Sequence, residues 1–369
     1  MTELQTLDSP AKRLTGLVLD DKWIVGERLI VGAEAGGNGT GGHFSVSYKV
    51  RSCDGKINAF LKAFDFHKTL LDSLQNQQNF MDVMAAVMGD YQFEDRLNEI
   101  CLTRRFKKIV KVLGKGQVVL DSNYLNMVPY LVMEMADCGD IRGYVEISGE
   151  LSMAAKLEYL KDVAVGLNQL HSARISHQDL KPSNVMVFTE QGAKIGDLGR
   201  ASLQGHNHWY DAEDIAGDRT YAPIEQLYGF CANEWIDRRE RCDLYQLGSV
   251  VCFLMLGTTL NAMLKQHLPL SAAPEYWGGE GNSYEDALPH LEHAFNLAVD
   301  QFLYLEPVWL GEKLRDIVIK CSHPRYERRG VVKTLGMKKP ILGLDRLVSE
   351  FDYLNKQLYI NGTVSRSNK

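Results

Sequence analysis

Cysteine is sparse in this chain and never clustered. Cys53, Cys101, Cys138, Cys231, Cys242, Cys252 and Cys321 are odd in number, scattered, and nowhere spaced as Cys-x-x-Cys. That pattern excludes a disulfide framework and a structural zinc site, and it points to a reducing, cytoplasmic setting. Long apolar runs are also missing. The longest, Val250 to Leu256, stops at Gly257 and is too short to cross a bilayer, so it reads as a buried helix. The leader MTELQTLDSPAKRLTGLVLDD has no apolar segment of the signal-peptide kind. No excess of positive charge is present either: 41 Lys and Arg stand against 47 Asp and Glu, a formal net charge of -6. Nothing therefore draws the whole chain to nucleic acid or an anionic membrane. The local basic runs Arg104 to Lys108 and Arg238 to Arg241 read as solvated faces or loops. Internal repeats and low-complexity tracts are absent.

What is present is enough apolar material for more than one core. The chain has 369 residues, 45% of them hydrophobic, which exceeds the size at which a single core stops growing and leads us to expect two lobes. After a leader over residues 1–22, Trp23 to Leu61 alternates short β-rich runs with glycine-rich turns, as in an antiparallel meander. Thr69 to Phe106 turns helical, with Gly89-Asp90 read as the break between two helices. Strand signals return at Ile109 to Leu113, Gln117 to Leu120 and Tyr130 to Glu134. From Leu151 onward the pattern is mostly helical, and Ile341 to Tyr359 forms a last amphipathic helix before a polar tail. The expectation is an α+β chain with a β-rich lobe over 23–136, a helical lobe over 137–335, a C-terminal helix and tail over 336–369, and a ligand cleft between the lobes.

Chemistry concentrates in a few places. Gly39, Gly41 and Gly42 crowd the turn before the strand ending at Val50, where backbone amides could approach a phosphate. A glycine-rich hairpin is more often a flexible turn, and no Gly-Lys-Ser/Thr closes this run as in a P-loop. Lys62 ends a strand of apolar residues. Such a lysine usually snorkels, unless an acidic partner reaches it, and Glu99 on the following helix is the candidate. The densest stretch is His177 to Gly199, HQDLKPSNVMVFTEQGAKIGDLG. Asp179, Lys181, Asn184 and Asp197 supply a candidate base, a cation, a neutral oxygen ligand and a second carboxylate, a set of hard donors suited to magnesium. They flank two strand signals, Val185 to Val187 and Ala193 to Ile195, that would bring them to one edge.

This stretch resembles the catalytic core of the eukaryotic-like serine/threonine protein kinase family, of the bacterial or viral type. His177-Gln178-Asp179-Leu180-Lys181-Pro182-Ser183-Asn184 is similar to the family's catalytic loop, and Asp197-Leu198-Gly199 to its magnesium-binding triplet with Leu for Phe. Further matches run in order from about Trp23 to Arg329. The resemblance implies a two-lobed kinase fold and transfer of the γ-phosphoryl group of ATP, with Mg2+, to Ser or Thr of protein substrates, the chain itself included. By it, Lys62 holds the α and β phosphates with Glu99 as its partner, Met133 is the gatekeeper, the backbones of Glu134 and Ala136 face adenine, and Asp140 contacts ribose. Asp179 takes or orients the hydroxyl proton, Lys181 offsets charge on the moving phosphate, and Asn184 and Asp197 hold the metal. Ala222-Pro223-Ile224-Glu225 is similar to the family's Ala-Pro-Glu, Asp243 braces the catalytic loop, and Arg328 or Arg329 pairs with Glu225.

The departures are specific. The third glycine of the family's loop is absent. Gln178 replaces the arginine that pairs with a phosphorylated activation loop in many members, and a neutral amide cannot make that charge-assisted contact. Activity is therefore expected not to need a phosphate docked there, although Ser202, Tyr210 and Thr220 remain open to modification. Asp218 stands where the family has Thr, which puts that residue's contact with the catalytic loop in doubt. Residues 66–91 read as an inserted helical element, either a surface for self-association or a regulator, or extra packing. Two competing readings are a pseudokinase scaffold and an aminoglycoside-type small-molecule phosphotransferase. Lys181-Pro182 and the Asp243 helix weigh against the second. The intact set Lys62, Glu99, Asp179, Asn184 and Asp197 weighs against the first.

Overall fold

The computed structural model describes residues 9–30, 45–66, 79–122, 126–149, 151–215, 217–277, 282–331 and 342–367. The chain divides into two units: Met1–Arg105 with Val110–Met135, and Phe106–Ile109 with Ala136–Lys369.

The first unit is built on a six-stranded sheet of β1 (Val18–Leu19), β2 (Trp23–Leu29), β3 (Ser45–Ser52), β4 (Asn58–Phe64), β5 (Val112–Val119) and β6 (Met127–Glu134), in the order β1-β2-β3-β4-β6-β5. Neighbouring strands are antiparallel. Alternation decides its two faces. In β3, Val46, Tyr48 and Val50 pair with Ala63, Leu61 and Ala59 of β4 and enter the core, whereas Ser47 pairs with Lys62 on the other face.

Residues 9–22, expected as a leader, help to build this core. Ala11, Leu14 and Leu19 are buried with Trp23 against the apolar face, and the Tyr48 hydroxyl donates to Ala11 O at 2.7 Å. The two strands expected over 109–120 are one strand and a separate bridge. Gly114 and Gly116 lie inside β5 because aromatic groups cover them: a Cβ at Gly116 would stand 2.6 Å from the Tyr130 hydroxyl. Ile109 bridges Ile195 in the second unit.

Helix α1 (Phe80–Thr103) runs unbroken through Gly89-Asp90, where two helices were expected. A single glycine costs a helix interior only about 1 kcal/mol, and Asn79 caps the N-terminus through Met81 N at 2.9 Å. The described part of the 66–91 stretch after residue 78 is thus the first half of the helix that carries Glu94 and Glu99. Residues 67–78 lie outside the described residues.

The second unit is mainly helical: α2 (Ile141–Ser148), α3 (Met153–Ser172), α4 (Ile224–Leu227), α5 (Arg241–Leu256), α6 (Leu260–His267), α7 (Tyr284–Asp300), α8 (Val308–Ser322) and α9 (Leu344–Ser367). It also holds two small antiparallel pairs. Strands β7 (Ile175–Ser176) and β10 (Ser202–Leu203) form one, and β8 (Val185–Phe188) with β9 (Gly192–Ile195) form the other. Helix α5 is its centre, buried along nearly its whole length. Gly248 lets α8 approach closely, since a Cβ there would fall 1.9 Å from Ser322 Oγ. Helix α9 lies on α3, with Leu344, Leu347, Phe351 and Leu354 buried at helical spacing and Asn355 donating to Glu158 at 3.1 Å. Among the described residues no single helix is long and apolar enough to cross a membrane.

Candidate active site

The catalytic-loop residues are brought together within the second unit, and α5 is what holds them. Asp243, in the first turn of α5, is fully buried, and besides Gln178 Nε2 at 3.5 Å four closer donors meet its carboxylate. These are the backbone N–H groups of His177 and Gln178, Ser176 Oγ, and His171 Nε2, each at 2.8 Å. Burial alone would push this carboxyl up, but the hydrogen bond and charge of His171, the nearby His177 and the Gln178 amide hold it below its ordinary value. One turn along, the Gln246 side chain accepts from Leu180 N at 2.9 Å and donates to Gln178 O at 2.8 Å. The loop backbone is thus fixed at 177, 178 and 180 by one helix, and Gln178 is locked at φ 67°, in the left-handed region that a non-glycine residue rarely adopts.

That brace fixes Asp179. Its Oδ1 accepts from Asp218 N at 2.7 Å, and its Oδ2 accepts from Asn184 Nδ2 at 3.1 Å and lies 3.0 Å from Lys181 Nζ. Asn184 also donates to Asp179 O at 2.8 Å, so its amide nitrogen is committed and its amide oxygen is the end left to act as a ligand. The β8–β9 hairpin supplies the remaining carboxylate. Val185 pairs with Ile195, and Gly196 N donates to Asn184 O at 2.8 Å, which places Asp197 at the same edge as Asn184. Asp197 is exposed and, like Gln178, has a left-handed φ, here 57°. His177 Nε2 meets Gly196 O at 2.9 Å and links the two halves of the edge. An amide oxygen and a carboxylate are hard donors of the kind Mg2+ takes, so the residues present fit that ion.

Asp218 answers the doubt raised by its identity. It makes two contacts to the loop: its N–H reaches Asp179, and its carboxylate lies 3.5 Å from Lys181 Nζ. Gly217 permits that approach, because a Cβ there would stand 2.5 Å from Gln178 O.

One expected pairing is corrected and one left open is resolved. Lys62 pairs with Glu94, at 2.9 Å to each carboxylate oxygen, and Glu99 instead pairs with Lys115 of β5. Helical phase explains it. Glu94 lies roughly 60° around the helix from Leu97, whereas Glu99 lies roughly 160° away from it. Leu97 is fully buried, and Glu94 follows it inward at 3% exposure. Arg329 is the residue that pairs with Glu225, with Nη1 to Oε1 at 2.7 Å and Nη2 to Oε2, while Arg328 is exposed. Arg329 O accepts from Arg241 Nη1 at 2.7 Å, and its guanidinium lies 4.7 Å over the Tyr245 ring, so both ends of Arg329 are fixed by α5.

The remaining candidates are placed as follows. Glu134 ends β6, with its N–H donating to Lys111 O and its carboxylate accepting from Lys111 N, each at 2.9 Å. Ala136 O accepts from Gly139 N. Asp140 is the N-cap of α2 and accepts from Gly143 N at 3.0 Å. On the first unit, a hollow of about 380 Å3 is lined by Ile24, Gly26, Lys49, Arg51, Asn58 and Met135. Gly39, Gly41 and Gly42 lie outside the described residues. Sequence reasoning missed Glu94, His171, Gln246 and Arg239. For Glu94 the buried phase of α1 was an available signal.

The basic run Arg238 to Arg241, expected to be solvated, is partly interior. Arg239 and Arg241 are 2% and 5% exposed, because each guanidinium meets carbonyls and carboxylates inside the unit. Of the hydroxyls expected to be open to modification, only Thr220 is exposed. Ser202 is buried and accepts from Trp235 Nε1 at 3.1 Å, and the buried Tyr210 hydroxyl donates to Ala201 O at 3.1 Å.

A braced catalytic loop, a committed Asp179 and a hairpin that presents Asp197 beside Asn184 are the parts of a phosphoryl-transfer enzyme, and the chain belongs to the protein kinase domain family, whose model matches residues 81–332. Individual relatives agree in kind. The chain is 31% identical over 151 residues to the serine/threonine-protein kinase PknB of Mycolicibacterium smegmatis, covering 40% of this chain and 23% of that one. It is 28% identical over 148 residues to the serine/threonine-protein kinase RAD53 of Saccharomyces cerevisiae, covering 40% of this chain and 18% of that one. The matched stretch spans less than a quarter of either relative.

Proposed function

We propose that this chain transfers the γ-phosphoryl group of ATP to Ser or Thr hydroxyls of proteins. The observation that carries the reading is the interlock of Asp179, Lys181 and Asn184 at the edge shared with Asp197, held from beneath by Asp243 and Gln246. Phosphoryl transfer asks a protein chiefly for positioning and charge stabilisation. Asp179 orients the acceptor hydroxyl and takes its proton at a carboxylate oxygen. Lys181 offsets charge on the phosphoryl group in flight. Lys62, aimed by Glu94, holds the nucleotide's α and β phosphates, and the backbones of Glu134 and Ala136 meet adenine. Asn184 and Asp197 hold Mg2+, which when bound neutralises phosphate charge. The Ser/Thr preference is supported by Lys181 in the catalytic loop and by the names of the relatives.

The test is incubation with magnesium and labelled ATP in the presence of a generic protein acceptor. Wild type is expected to label the acceptor, and Asp179→Asn to lose about a hundred- to ten-thousand-fold in kcat, the usual worth of a positioned general base. Label on a small antibiotic-like alcohol instead of protein, or no label with any acceptor, would overturn the reading.

A further inference from the structure

Arg239 is buried at the foot of α5 in a π-helical turn, Ile236–Glu240, a rare distortion that is frequent at functional sites. It grips Gln178 by both ends of the amide. Its Nη1 donates to Gln178 Oε1 at 2.9 Å, and its carbonyl accepts from Gln178 Nε2 at 2.9 Å. The same carbonyl accepts from Ser176 Oγ at 2.8 Å. The other guanidinium nitrogen, Nη2, donates to Asp211 O at 2.6 Å and stands 3.3 Å from the Asp211 carboxylate. Asp211 lies between Asp197 and Glu225, in the segment that ends at the Gly217-Asp218 contact with Asp179. Neighbouring groups tie the same stretch down, since Arg238 Nη2 donates to Glu213 O at 3.1 Å.

The chemistry of this triad is directional. A glutamine can answer Arg239 twice, with an acceptor for the guanidinium and a donor for the carbonyl. An arginine at 178 could only donate, and it would set two buried guanidinium groups against each other. Gln178 and Arg239 are therefore a matched pair. The cation that reaches the segment comes from the π-helical turn before α5, and the anion it meets belongs to the chain.

We propose that Arg239 is a positioning residue that locks the segment around Asp211 to the catalytic loop through Gln178, with the Asp211 carboxylate as a resident anion, so that the loop is ordered without phosphorylation of the segment. The inference rests on the kinase reading above and goes beyond it, because it names what replaces a modification. It also requires that Gln178, Arg239 and Asp211 act as one unit whose losses do not add.

The experiment uses the full chain, stripped by phosphatase and shown by mass to carry no phosphate. Protein phosphorylation, and hydrogen exchange of residues 176–180 and 208–213, are followed in wild type, Arg239→Gln, Asp211→Asn, Arg239→Lys, Gln178→Arg and the doubles. Stripped wild type is expected to keep its initial rate. Arg239→Gln and Asp211→Asn are each expected to lower kcat about 10- to 30-fold with KM for ATP little changed, the scale of a lost coupling of up to about 2 kcal/mol. Their double is expected to be no worse than the weaker single. Arg239→Lys, which keeps the charge, is expected to recover part of the loss. Gln178→Arg is expected to be impaired and to improve when combined with Arg239→Gln, which removes the facing guanidinium. Both single losses at 239 and 211 should speed exchange in the two stretches together. Additive losses, unchanged exchange, or a stripped wild type that is inactive until rephosphorylated would each overturn the proposal. If wild type transfers no phosphate at all while Arg239→Gln still frees both stretches, the lock stands and the kinase reading falls.

Discussion

Glu94 and Glu99 show how far a single residue could be read. Both are acidic, both sit on α1, and either could be drawn to Lys62 from spacing alone. The helix settles the choice through phase: the stripe of Phe93, Leu97 and Cys101 turns inward, and Glu94 travels with it. The gathering of Asp179, Asn184 and Asp197 at one edge, with Asp243 bracing the loop, was legible because residue type and order carry it. The pair Lys62 with Glu94 was not, because it joins residues distant in sequence and depends on helical phase, and the partner of Glu225 was legible only as Arg328 or Arg329, because one step of loop decides between them. Glu94→Gln is expected to lower kcat/KM for ATP by about 10- to 100-fold, since breaking a largely buried ion pair leaves Lys62 without its orienting charge. Glu99→Gln, which removes only a surface contact with Lys115, should stay within about twofold, as exposed pairs contribute about 1 kcal/mol or less. Steady-state kinetics on the two variants, side by side, decide between the partners.

Elements were legible where the period was strong and illegible where a glycine had two meanings. Gly89 read as a break, yet it sits on an open helix face where a Cβ would meet nothing, so the helix passes through it. Gly114 and Gly116 read as gaps between strands, yet they are the places where aromatic groups lie over a continuous strand. Helix α9 was visible in its apolar spacing, and what it packs against was not. Phe351→Ala is expected to destabilise the protein by about 3–5 kcal/mol, because the side chain is fully buried. Tyr353→Ala, on the exposed side of the same helix, should change stability by about 0.5 kcal/mol or less. Urea unfolding of both variants checks the face assignment. Helix α5 makes a different demand, through pH. Because Asp243 is held below its ordinary value, its contribution to stability is complete above about pH 4, the unfolded carboxylate range, and is lost as pH falls through the lower folded value. Asp243→Asn should lower Tm at neutral pH and flatten the acid limb of the Tm profile. A variant with the wild-type acid limb would show that other carboxylates set it.

At the scale of the whole chain, family membership was legible and the grip on Gln178 only partly so. The Gln178 substitution announced that the usual arginine was gone. It could not announce that Arg239, expected on a solvated face, supplies a buried cation to the same loop. Nucleotide binding is where the molecule as a whole can be tested apart from catalysis. A ligand that binds only the folded state stabilises it by mass action, about 2.7 kcal/mol at a hundredfold excess over Kd, which raises Tm by several degrees in a chain of this size. If Lys62, Asn184 and Asp197 act as proposed, ATP with magnesium should raise Tm more than ATP with a chelator, because Asn184 and Asp197 contribute only through the metal. Lys62→Ala should shrink the shift under both conditions, whereas Asp197→Asn should shrink only the part that depends on magnesium. Asp179→Asn should keep most of the shift while losing transfer, since Asp179 is assigned to the acceptor hydroxyl. A shift that ignores magnesium in wild type would remove the metal role from Asn184 and Asp197. Binding without transfer in wild type would move the chain to the scaffold reading, with the Asp179 interlock intact but unused.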